Sequence, residues 1–133
     1  LADNAAATDL AAWKARVRAA WSGVQVASIE AQLPDTIEVG TSNTFWAHVN
    51  LNGLDATDVV VELFAGQVDA ADNLYDIRIS RFELVDQAGR GATFKLEEVS
   101  DRPGVVGYTV RVVPQHLLLT NPAELGLATL ASN

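Results

Sequence analysis

The sequence predicts an all-β domain: an immunoglobulin-like or fibronectin-like antiparallel β-sandwich of about seven strands with one N-terminal α-helix. Three observations lead there. Short runs that alternate apolar and polar residues recur along most of the chain, separated by Gly, Pro, Asn and Asp turn signals at fairly regular intervals. One of them, Gly104 to Pro114, sets Val106, Tyr108, Val110 and Val112 on one face against Gly107, Thr109, Arg111 and Val113 on the other, as a central strand with a dry face would. Helical spacing is confined to the N-terminal end.

In order, residues 1 to 8 are small or polar and are expected to fray. Thr8 offers an N-cap, and Leu10, Trp13, Val17 and Trp21 follow at spacings of three, four and four. That stripe predicts an amphipathic helix of about 13 residues, ended by a left-handed Gly23. A helix this short is marginal in water, so Leu10, Trp13, Val17 and Trp21 are its expected docking stripe, on its own sheet or on a larger parent. Domain organisation follows: 1–23 as tail and helix, 24–133 as the sandwich.

The expected strands are Val24 to Leu33 with Ala27, Ile29, Ala31 and Leu33 on one side, then Thr44 to Leu51 closed by Asn52-Gly53, and Val59 to Ala65 closed by Gly66. A loop from Gln67 to Tyr75 precedes one long strand, Asp76 to Asp86. Thr93 to Val99, Gly104 to Pro114 and a last piece within Gly126 to Ala131 complete the set.

At 133 residues the chain suits one domain, with 49% apolar residues and no apolar run near the ~20 residues that cross a bilayer. Nine basic against 17 acidic side chains give a net charge of −8, which repels phosphate backbones and anionic lipid, so neither nucleic acid nor membrane is an expected partner. The chain has no Met and no basic-then-apolar leader at its N-terminus, as expected of a segment of a longer protein. It has no Cys either, so nothing points to an oxidising compartment, and the cytoplasm is expected.

Candidate chemistry is sparse. There is no Cys and no Gly-x-Ser-x-Gly elbow; His48 and His116 are the only histidines and lack zinc-ligand spacing, so catalytic and metal residues are expected to be none. The Asp69 to Asp76 loop carries hard oxygen ligands but does not match a calcium loop, and reads as solvated. Phe45 and Trp46 are adjacent on a strand and face opposite ways; Trp46 shares its face with Thr44, His48 and Asn50, outside the core. Two readings of Trp46 stand: cover by the helix that carries Trp13 and Trp21, or a platform for a sugar ring with His48 and Asn50 supplying hydrogen bonds. Tyr108 is expected in the core, its hydroxyl on a nearby backbone group.

The tail decides between families. Gly-Tyr-Thr-Val-Arg-Val-Val-Pro-Gln-His (107 to 116), followed by Asn121-Pro122-Ala123-Glu124-Leu125-Gly126-Leu127, resembles the C-terminal end of the longer bacterial α-glucan (glycogen or maltodextrin) phosphorylases. Val17-Arg18-Ala19-Ala20-Trp21, Leu33-Pro34-Asp35 and Ile37-Glu38-Val39-Gly40 are similar to the entry to the same appended domain. Gln115 stands where that family usually has a basic residue, Leu117 where it often has Pro, and Leu130 where an aromatic is common. The resemblance implies a parent that phosphorolyses α-1,4-glucans to glucose 1-phosphate with pyridoxal phosphate. It implies no cofactor in this segment, whose lysines are Lys14 and Lys95 alone, and gives the segment a non-catalytic role. The implied partners are the catalytic domain of the parent chain or another subunit, with α-glucan as the alternative.

Overall fold

The computed structural model describes residues 2–32, 39–99, 106–116 and 127–130. Helix α1 spans Ala2–Ala20 and tightens into a 3-10 turn at Trp21–Gly23. The strands are β1 (Gln25–Gln32), β2 (Ser42–Asn50), β3 (Val59–Val68), β4 (Leu74–Arg81), β5 (Glu83–Ala88), β6 (Gly91–Val99), β7 (Val106–Pro114) and β8 (Thr129–Leu130). They form two antiparallel four-stranded sheets, β1-β2-β6-β5 and β4-β3-β7-β8. Lettered A, B, C, C′, D, E, F, G in chain order, the sheets read ABED and C′CFG. That is the immunoglobulin constant-domain strand order with one strand added at the edge of CFG.

The core lies between the sheets. Phe45, Ala47 and Val49 of β2 and Ala92 and Phe94 of β6 face Val59, Val61 and Leu63 of β3 and Val110 and Val112 of β7, all buried. Each large aliphatic side chain so placed contributes about 1.5–3 kcal/mol of burial. Tyr108 shares the face of Val110 and Val112 but is 36% exposed, lying edge-on to Phe45 with ring centroids 5.1 Å apart. The expected core Tyr is thus a half-open rim residue, because β7 carries it past the deepest part of the interior.

Several sequence expectations change. The helix starts at Ala2, well before Thr8, because the Ala-rich run has high helix propensity. Gly23 does not adopt a positive φ; it is small because a Cβ there would meet the Asn52 side chain at 2.4 Å, the same side chain whose amide donates to the Ala20 carbonyl at 2.9 Å. A register shift between Val26 and Ser28 puts Val26 and Ile29 toward the core, so Ala27 and Ile29 do not share a face. Gly66 does not end β3. It lies inside the strand, beside an irregularity at Asp76 (φ 51°), where Tyr75 backbone approaches too closely for any Cβ.

The largest change is at Phe82. The single strand expected over Asp76 to Asp86 is two, β4 in one sheet and β5 in the other, with buried Phe82 at the crossing and its N–H on the Val61 carbonyl at 2.9 Å. Among the described residues this gives eight strands in place of seven. The long loop expected over Gln67 to Tyr75 shrinks to a turn. The Asp69 carboxylate accepts from the N–H groups of Ala71 (2.8 Å) and Asn73 (2.9 Å), and Asp72 adopts φ 63°. Asn52 and Gly53 turn β2 with φ of 50° and 90°, as their dipeptide suggests. The turn expected at Pro34-Asp35, the lead-in from Ser100 to Gly104 and the Asn121 to Gly126 tail lie outside the described residues.

Candidate functional site

Trp13, Val17 and Trp21 are buried in the chain's own core, at 3%, 0% and 7% exposure, with Leu10 packed against them. The stripe joins the helix to one end of the sandwich. Trp13 Nε1–H donates to Asp58 Oδ1 at 2.9 Å, and its ring stands 4.8 Å from that of His116, just past β7. Asp58 is well anchored: it closes a short 3-10 turn at Ala56–Asp58 in which Asp55 and Asp58 cap each other reciprocally, and its carbonyl accepts from Gln115 N–H. The expectation that this helix covers Trp46 is therefore overturned. The Trp rings are drawn to the apolar end formed by Val24, Leu51, Leu54 and Ala56, and Trp46 is left on the outer face of the β1-β2-β6-β5 sheet.

On that face the β2 side chains Thr44, Trp46 and His48 are half-buried and Asn50 is exposed, while Phe45, Ala47 and Val49 between them are buried. The register sets Glu30 of β1 and Lys95 of β6 on either side of Trp46, and Ser28 and Thr93 on either side of His48. Lys95 Nζ lies 5.9 Å from the Trp46 ring centroid and pairs with Glu97 Oε1 at 3.3 Å. His48 bridges three strands: Nε2 meets Glu30 Oε1 at 3.2 Å and Nδ1 meets Thr93 Oγ1 at 3.1 Å. A carboxylate only accepts, so in the neutral ring Nε2–H donates to Glu30, and Nδ1 accepts the Thr93 hydroxyl proton. Beside this row a shallow depression of about 340 Å3 is lined by His48, Asn50, Asp86, Arg90 and Thr93, among others.

Glu30 and Thr93 did not stand out in the sequence. Their alternate positions on β1 and β6 were legible, but which alternate residue falls beside His48 depends on cross-strand register. The Thr93–His48–Glu30 chain superficially matches a hydroxyl, base and orienting carboxylate. Yet β6 is paired on both sides, by β2 and β5, so its backbone N–H groups are spent in the ladder and none is aimed at a developing oxyanion.

The other sheet has a different outer face. Phe64 of β3 lies opposite Ile79 of β4 and Thr109 of β7; Glu62 lies opposite Arg81 and Arg111, and Arg111 opposite Leu130 of β8. Arg111 bonds Glu62 Oε1 at 2.8 Å, with its guanidinium 4.5 Å from the Phe64 centroid. Beside this pair Ile77 (49%), Ile79 (56%) and Leu130 (62%) are open to solvent.

Among the described residues, no three His, Asp or Glu side chains converge as a metal site, and no helix is long and apolar enough to cross a membrane. The glycogen phosphorylase C-terminal domain family matches residues 21–132. The chain belongs to the glycogen phosphorylase C-terminal domain family. Glycogen phosphorylases from two strains of Mycobacterium tuberculosis and from Mycobacterium bovis are each 38% identical to it over 128 residues. The matched region is 95% of this chain and 15% of each relative, so this C-terminal domain spans under a sixth of the curated relatives' length. No solved structure matches it. Lys95 is a surface lysine at 40% side-chain exposure, paired with Glu97.

Proposed function

We propose that this chain is a non-catalytic β-sandwich appended to an α-glucan phosphorylase, and that it docks on the catalytic body of that parent through the outer face of the β4-β3-β7-β8 sheet. The observation that carries the reading is the open apolar band of Ile77, Ile79 and Leu130 around the Phe64–Arg111 stack. Apolar side chains gathered on one sheet face, rimmed by Arg81 and the Glu62–Arg111 pair, have the make-up of an interaction surface. The occupant is argued from length: in relatives of this family the matched region is 15% of the protein, which leaves a far larger body to receive it. The parent would transfer glucosyl units from α-1,4-glucan to phosphate in the cytoplasm, with its pyridoxal phosphate held outside this segment.

Two measurements test the reading. The 133-residue chain should release no glucose 1-phosphate from glycogen and phosphate; release at enzymatic rates would overturn the non-catalytic role. The double variant Ile77→Asp/Ile79→Asp should leave the melting temperature of the isolated chain nearly unchanged and lower that of the intact parent. Equal shifts in both would place the band outside any interface.

A further inference from the structure

We propose that the outer face of the opposite sheet, β1-β2-β6-β5, is a glycan-holding platform: Trp46 stacks on a pyranose ring of an α-1,4-glucan, and Glu30, His48, Asn50 and Thr93 meet its hydroxyls. It is carried by different observations from the docking surface. The helix that has the apolar reason to cover Trp46 is seated at the end of the sandwich, so the indole stays on the outer sheet face, half-buried amid polar neighbours. The part of the indole left open on this polar face is apolar, and the C–H side of a sugar ring complements it. Lys95 sits nearest the ring, but it is an exposed side chain in a surface ion pair, which costs little to displace.

Sugar hydroxyls both donate and accept, and this face offers both within reach of the ring. Glu30, with its side chain 66% exposed, is an acceptor one strand from Trp46. His48, two residues along β2 and so about 7 Å away, is held by Glu30 and Thr93 at its two nitrogens and needs little further ordering to meet a ligand. Asn50 accepts from Asn52 N–H through Oδ1 at 2.9 Å, which leaves its amide N–H groups as donors at the edge of the depression. That depression, about 340 Å3 and lined by His48, Asn50 and Thr93 but not by Trp46 or Glu30, adjoins the platform rather than enclosing it. Glu30, Asp86 and Glu97 outnumber Arg90 and Lys95 around the site, and on a chain of net charge −8 that balance disfavours a phosphate or nucleic acid ligand and favours a neutral, hydroxyl-rich one. The choice of α-1,4-glucan among neutral sugars rests on the family membership.

The test is titration of the 133-residue chain with maltoheptaose, followed by tryptophan fluorescence and calorimetry. Because Trp13 and Trp21 are buried, Trp46 should dominate the fluorescence response. The expected result is saturable binding at millimolar sugar, weakened about tenfold or more by Trp46→Ala, with the urea midpoint unchanged. His48→Ala, which deletes the bridge without touching the platform, should weaken it less. Absence of a response in wild type, undiminished affinity in Trp46→Ala, or equal affinity for cellohexaose would overturn the proposal. None of these outcomes would touch the docking reading, which is judged from the melting of the parent.

Discussion

The two buried tryptophans of the helix give the sharpest test of how the domain is held together, because their surroundings differ in one respect. Trp13 is 3% exposed and Trp21 7%, yet Trp13 Nε1–H is bonded to a carboxylate while Trp21 Nε1–H is buried with no partner among the described residues. Trp→Phe at either site removes similar ring volume. At Trp13 it also removes a hydrogen bond to a charged group, worth about 1.5–3 kcal/mol, toward the lower end here because Asp58 is only half-buried. At Trp21 it removes an N–H whose unsatisfied burial already costs about 1–3 kcal/mol, which offsets the lost packing. Trp13→Phe should therefore destabilise by about 2–3 kcal/mol and Trp21→Phe by under about 1 kcal/mol. Urea unfolding followed by far-UV circular dichroism reads the difference without depending on the altered fluorescence, and the m-value should be the same in both. Combining Trp13→Phe with Asp58→Ala should give a coupling energy of about 1–2 kcal/mol. Equal losses at the two sites, or a coupling near zero, would refute the assignment of the helix anchor to the Trp13–Asp58 bond.

Three further outcomes follow from the geometry. Leu63→Ala, at 0% exposure between the sheets, should cost about 2–5 kcal/mol in the same urea assay. Gly66→Ala should destabilise more than Gly107→Ala: the new Cβ at 66 would meet Tyr75 backbone oxygen at 2.6 Å, whereas at 107 it meets the ends of the Val68 and Leu74 side chains, which can move aside. The third outcome concerns acid. The backbone N–H groups of Asn73 and Ala71 hold the Asp69 carboxyl below its ordinary value of 3.8, and the backbone and hydroxyl of Thr57 do the same for Asp55. A depressed folded pKa adds stability in full above the unfolded value and loses it as pH falls through the folded one, so these two contributions should begin to fall away below about pH 4. Asp55→Ala/Asp69→Ala should make the urea midpoint less sensitive to acid in that range; an unchanged dependence of the midpoint on pH below about 4 would count against both turns.

Alternation along a strand assigns each side chain to one face, and this much the residues state for themselves. Phe45 in and Trp46 out, the buried Val110 and Val112, the turn at Asn52-Gly53, and the helical stripe of Trp13, Val17 and Trp21 all follow from local spacing and from residues that tolerate positive φ. The tail motif was likewise enough to point to the family that the comparison then established. Where two patterns merge, local spacing is harder to read. Between Asp76 and Asp86 the apolar positions pass from Ile77 and Ile79 to Phe82 and Leu84 with no Gly or Pro to mark the change, and the pull of Phe82 into the interior sends the two halves to opposite sheets.

The candidate site divides in the same way. Composition and order placed Trp46, His48 and Asn50 on one outer face, because a period of two requires it. Glu30 and Thr93 joined His48 only through the register of β1 and β6 on β2, contacts between residues 18 and 45 positions apart. The destination of the helix was likewise a tertiary matter. Its apolar stripe demanded burial, but the end formed by Leu51, Leu54 and Ala56, with Asp58 placed to accept from Trp13, exists only once both sheets have assembled. Period and turn chemistry are properties of neighbouring residues, so the sequence alone settles them; adjacency of strands and the seat of a helix depend on which distant surfaces meet, and only the folded chain decides that.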